Sequence, residues 1–122
     1  RDKIFGFFAA GTLSTSMFAE ATRLYIPFNM ELRDVRLAVQ DTALGQAIIV
    51  DVNQYGRPIA AGTSLFVSAD RPQINAGTDT GNSSTFAIST LYSGSYLGFD
   101  LDQIGTTSTG GNLTVTIIAR SS

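Results

Sequence analysis

Residues 47–58 read Ala-Ile-Ile-Val-Asp-Val-Asn-Gln-Tyr-Gly-Arg-Pro, and few conformations suit them. Ile48, Val50 and Val52 alternate with Asp51 and Asn53, the period of two expected from a strand with one face in a core and one in water. The alternation stops at Gly56 and Pro58, because glycine admits positive φ and proline has no amide hydrogen for a neighbouring strand. Residues 97–105 repeat the device: Leu97, Phe99 and Leu101 lie on one side, Asp100 and Asp102 on the other, and Gly105 closes the segment. These two segments are expected to be central strands of one β-sandwich.

The remaining chain reads as further short strands. Residues 4–10 place Phe5 and Phe7 on one face and Phe8 on the other, which implies apolar contact on both sides. Residues 23–28 contain Pro27 and belong at a sheet edge or a strand end. Leu32, Val35, Leu37 and Val39 mark a strand whose phase slips at Arg33 and Asp34, as a bulge would make it slip. A strand over residues 64–68 would set Leu65 and Val67 opposite Phe66, and residues 72–76 form a short edge with Ile74 inward. Residues 77–84 have no large apolar side chain and read as an exposed loop. Phe86 and Ile88 start the next strand, and Leu113, Val115 and Ile117 alternate with Thr114, Thr116 and Ile118 in the last. Eight or nine strands, with turns every ten or so residues, indicate an all-β antiparallel sandwich, jelly-roll-like, with little or no helix. At 122 residues it forms a single domain, in which residues 1–22 are an N-terminal strand or arm and residues 23–122 are the sandwich.

Composition narrows the chemistry. The chain has no Cys and no His, so thiolate chemistry, the commonest zinc ligands and the commonest general base are absent. Lys and Arg fall at positions 1, 3, 23, 33, 36, 57, 71 and 120 without forming a basic stripe, which argues against nucleic acid as a partner. Charged residues are 15 % of the chain, against about 25 % in an average soluble domain. So sparse a set of charges points to a surface partly covered by neighbours in an oligomer or larger assembly. The apolar run at residues 4–10 is too short for a secretory leader, no run is long enough for a membrane helix, and the protein is expected to be soluble with no membrane partner.

Asp51, Asn53 and Gly56 share the opening spacing of a calcium loop, and Asp100 and Asp102 would add oxygen ligands. The third acidic position and the closing Glu are missing, so these residues are expected to sit at outward strand positions, with no metal and no cofactor. Asp100 and Asp102, two apart on one strand, would lie about 7 Å apart, but no Trp accompanies them as a sugar platform. No catalytic residues are expected, and the chain reads as a non-enzyme. Tyr25, Tyr55, Tyr92 and Tyr96 read as half-buried aromatics before a glycan platform.

Together, residues 23–28, 45–53 with Gly56 and Ile59, 71–77, 99–105 and 113–117 resemble a β-sandwich module of tailed-bacteriophage virion proteins, most like capsid decoration (cement) and head-fibre proteins. The resemblance implies a homotrimer on the outer capsid surface that binds the major capsid protein and stabilises the head. An alternative implied role is a receptor- or glycan-binding domain of a head or tail fibre. On that model Ile4, Phe5, Phe7, Phe8, Phe18, Tyr25 and Phe28 are the candidate contacts with the shell or with sister subunits. Residues 77–84 and 105–111 would be solvent-facing loops.

Overall fold

The computed structural model describes residues 2–15, 23–56 and 62–121. Ten strands lie among them: β1 (Asp2–Thr12), β2 (Leu24–Tyr25), β3 (Met30–Asp41), β4 (Ile48–Tyr55), β5 (Gly62–Ser64), β6 (Gln73–Ile74), β7 (Thr80–Ser83), β8 (Thr90–Leu91), β9 (Tyr96–Gln103) and β10 (Gly111–Ser121). A single 3₁₀ turn, Ser68–Asp70, is the described helical element. None of the described helices is long and apolar enough to cross a membrane. The expected contact residue Phe18 falls outside the described residues, as do Pro58 and Ile59.

The pairing is nested. β1 pairs with β10, β2 with β9, β3 with β7 and β8, and β4 with β5 and β6, all antiparallel. Such a set is one long hairpin, and rolling it up adds the pairs β10 with β3 and β9 with β4. The result is two sheets, one ordered β1-β10-β3-β7 with β8 also on β3, the other β2-β9-β4-β5 with β6 also on β4. This is the jelly-roll topology, two Greek keys wound around one core. β4 and β9, the two segments that alternate apolar residues with carboxylates, are neighbours at the centre of the second sheet.

The core follows the period of two. Ile48, Val50 and Val52 of β4 meet Leu97, Phe99 and Leu101 of β9 on the inner face of one sheet, and Val35, Leu37, Leu113, Val115 and Ile117 line the other. Phe7 of β1 crosses between the sheets to Phe99, with ring centroids 3.9 Å apart. The expected bulge is present in β3: Ile118 pairs with Asp34 and Ala119 with Leu32, so Arg33 is the extra residue. It resets the phase and lets Met30 and Leu32 share the core face with Val35, Leu37 and Val39.

Three expectations are corrected. The strand over residues 64–68 ends at Ser64, whose hydroxyl accepts the Phe66 amide hydrogen and bends the chain; Leu65 and Phe66 are therefore both buried while Val67 is exposed. Residues 80–83, read as loop, form β7, because main-chain pairing with β3 needs no large side chain. Phe86 and Ile88 lie before β8 rather than in a strand, and the Ala87 and Ile88 amides donate to the Leu65 carbonyl.

Candidate functional site

Two surfaces gather the residues that sequence singles out. The first is the outer face of β4 and β9. Asp51 and Asp100 are directly opposed across the pair, as are Asn53 and Gly98. Each carboxylate has a partner: Ser64 Oγ donates to Asp51 Oδ1, Asn53 Nδ2 donates to Asp100 Oδ2 at 3.0 Å, and Arg71 Nη1 donates to Asp102 Oδ2 at 2.5 Å. Asp102 does not stand beside Asp100 as the regular spacing predicts. Ile49 pairs with Gln103 and Val50 with Leu101, which makes Asp102 the extra residue of a second bulge, turned toward Arg71.

Half-burial pushes the Asp51 carboxyl above its ordinary value of 3.8, and the Asp102 carboxylate adds to the rise. The Ser64 hydroxyl, the Val52 amide and the Arg71 guanidinium oppose it without cancelling it. Among the described residues no three His, Cys, Asp or Glu side chains converge as a metal site would require.

On the same face, strand pairing sets three of the four tyrosines in a row. Tyr25 of β2 lies opposite Tyr96 of β9, and Tyr96 opposite Tyr55 of β4. The Tyr25 and Tyr96 rings are 5.3 Å apart, and the Arg23 guanidinium lies 4.1 Å from the centre of the Tyr55 ring. Across β5, Gly62 gives the Tyr55 ring its place, since a Cβ there would come within 2.7 Å of it. Tyr92 belongs to a different place, a cleft of about 560 Å³ at one end of the sandwich that is also lined by Gln54, Thr63, Ile88, Ser93 and Ser95. The Gln54 amide there is already engaged, with Nε2 donating to the Thr90 carbonyl and Oε1 accepting the Tyr92 amide hydrogen.

The second surface is the side of the sandwich where β1 and β2 are the edge strands of their sheets. A groove of about 220 Å³ opens between them, with Lys3 and Phe5 on one wall and Tyr25, Ile26, Pro27, Phe28 and Met30 on the other. Lys3 Nζ caps the Phe28 ring at 5.7 Å. Of the expected contact residues, Phe5, Tyr25 and Phe28 line this groove, and Ile4 and Phe8 lie on the outer face of β1, 72 % and 61 % exposed. Phe7 does not belong with them, for it is 6 % exposed and packs in the core against Phe99. The alternation in residues 4–8 already separates Phe7 from Phe8; only the fold says which of the two faces is inward.

Neither surface was complete in the sequence reading. Ser64 and Arg71, which hold Asp51 and Asp102, carry no local signal because they lie 13 and 31 residues away from their partners. Lys3, Ile26, Pro27 and Met30 join the groove only through the pairing of their strands. No protein-family model, curated protein or solved structure matches the chain. The functional reading therefore stands on these two surfaces.

Proposed function

We propose that the chain is a non-enzymatic structural protein of a tailed-bacteriophage virion, a self-associating β-sandwich that sits on the outer surface of the head and stabilises it by binding the major capsid protein. The observation that carries this reading is the apolar β1/β2 side, where Tyr25 and Phe28 line a groove and Ile4 and Phe8 stand exposed on the outer face of β1. Exposed apolar surface of this kind, rimmed by polar residues, marks a protein contact. Jelly rolls are a recurrent architecture of viral capsid domains, which supports the reading at the level of fold alone. The small share of charged residues supports it too. Weak contacts made by many copies on a symmetric shell add through avidity, so a modest patch on each copy suffices.

The test is co-sedimentation of the purified protein with expanded and with immature phage heads. Binding to expanded heads that is lost in Phe28→Ser is the expected result, and indifference to both kinds of head overturns the proposal.

A second reading, a glycan-binding domain of a head or tail fibre, is favoured by one observation, the row Tyr25, Tyr96 and Tyr55 across the outer face of three strands. Aromatic faces of this kind can stack on sugar rings. A glycan array decides it: reproducible hits abolished by Tyr25→Ala support it, and an empty array removes it.

A further inference from the structure

We propose that the free edge of β1 is a dimerisation strand, which pairs antiparallel with β1 of a second copy across a twofold axis at Gly6. This goes beyond the proposed function, puts a twofold contact in place of the homotrimer that the resemblance implies, and rests on the geometry of β1 alone, not on the phage head.

Long, flat edge strands are normally blunted by charge, proline or brevity, because their unpaired amides and carbonyls recruit other chains. β1 has none of these devices over most of its length. It runs for 11 residues, from Ile4 to Thr12 it has no charged residue and no Pro, and among the described residues it pairs with β10 alone. Its outward row is Ile4, Gly6, Phe8 and Ala10, all exposed.

The pattern of β1 is close to a palindrome about Gly6: Phe5 and Phe7 flank it, then Ile4 and Phe8. A twofold axis at Gly6 therefore sets Ile4 opposite the partner's Phe8 and Phe8 opposite the partner's Ile4. Pairs of a β-branched with an aromatic side chain are among the favourable cross-strand neighbours. The neighbouring registers that keep the same faces set Phe8 against the partner's Asp2 or the partner's Gly6, and lose both pairs. In the Gly6 register the charges cause no conflict, since Asp2 and Lys3 face the partner's Ala10 and the partner's Ala9. Pairing residues 2–10 makes about nine main-chain hydrogen bonds, roughly one per residue. It removes on the order of 1,000 Å² from water, the scale at which an interface becomes specific. The contact is isologous and closes at two copies.

The experiment is sedimentation equilibrium on the wild type and on charge variants at the two outward positions, with thermal melting as the control for folding. The wild type is expected to be a dimer, and Ile4→Lys, Phe8→Glu and the double variant Ile4→Lys/Phe8→Lys are expected to be monomers that still melt cooperatively, at the temperature the wild type shows when diluted until its dimer dissociates. The double variant Ile4→Lys/Phe8→Glu is expected to recover the dimer, because in the Gly6 register each new ammonium faces a new carboxylate. A wild type that stays monomeric overturns the proposal, as does a trimer whose mass none of the substitutions changes, or a charge-swapped variant that fails to recover. Binding to phage heads is scored separately, so it can fail while the dimer persists, and the dimer can fail while binding persists.

Discussion

The two sides of this sandwich end their sheets in opposite ways. On one side the edges are cut into short pieces, β5, β6, β7 and β8, of two to four residues each. There the sheets close on each other so tightly that a Cβ at Gly81 of β7 would lie 1.8 Å from the Gln73 carbonyl of β6. On the other side β1 runs 11 residues beside a two-residue β2, and a groove lies between them. The closed side presents Thr80, Asn82 and Ser84 to water. The open side presents Ile4, Phe8, Tyr25 and Phe28. Edge protection is a general need of β proteins. A chain that meets it on one side and omits it on the other leaves the second side open, and the proposed contacts use that side.

The contrast can be broken by substitution. The largest effect is expected from Val115→Asp or Val50→Asp, both fully buried, which place an unpaired carboxylate in the shared core and cost more than about 4 kcal/mol. Loss of soluble expression checks this, with Thr107→Asp in the exposed loop as the tolerated control. Next is Gly81→Ala, where backbone rather than a flexible side chain blocks the methyl group; a loss of about 3 kcal/mol in urea melts is expected. The open side should behave otherwise, because Phe8→Ser removes no buried contact within the subunit and should change the folding stability of the dilute monomer by less than about 0.5 kcal/mol.

A further substitution probes the joint between β1, β10 and β3. Asn112 holds the left-handed φ of 56° at the start of β10, and its side chain accepts the Gly11 amide hydrogen and donates to Gln40 Oε1. Asn112→Ala should cost about 1–2 kcal/mol, since alanine tolerates this backbone poorly and both bonds go. Asn112→Gly should lose less, as glycine adopts the conformation freely.

The smallest effect concerns Asp51 and has a definite sign. Its folded-state carboxyl titrates above the ordinary value of 3.8 because it is half-buried. The folded protein thus holds this proton more tightly than the unfolded chain. The stability it contributes is present below the unfolded value and is lost as pH rises from 3.8 through the raised folded one. Asp51→Asn keeps an oxygen for the Ser64 hydroxyl and removes the charge, so it should raise the melting temperature slightly at neutral pH. The gain should vanish in acid below pH 3.8. Melting curves of both proteins across that range test it, and a lower melting temperature for Asp51→Asn at neutral pH contradicts the assigned direction.

Much of the candidate contact surface was legible before the fold was known. Aromatic and β-branched residues crowded into residues 4–8 can be seen without coordinates, and so can the apolar character of Tyr25, Ile26 and Phe28. What could not be seen is that residues 3–5 and 25–30 share one groove. That depends on β1 and β2 being edge strands on the same side of two different sheets, a consequence of rolling the whole hairpin. The outer face of β4 and β9 was half legible in the same way. Its outward carboxylates follow from period-2 alternation, whereas the Asp102 bulge and the Arg71 partner follow from strand register.

By itself the sequence determined the local devices: alternation in β4, β9 and β10, the bulge at Arg33, and the end of β9 before Gly105. Each is set by the conformational limits of a few adjacent residues, so it can be read from them. Only the tertiary structure decided that residues 80–83 form a strand, that Phe7 faces the core while Phe8 faces out, and that one flank of the sandwich is closed and the other open. Those outcomes come from main-chain pairing and burial between segments that can be more than a hundred residues apart. Backbone hydrogen bonds are the same for every residue that has an amide hydrogen to donate, so they leave no mark in the sequence that forms them.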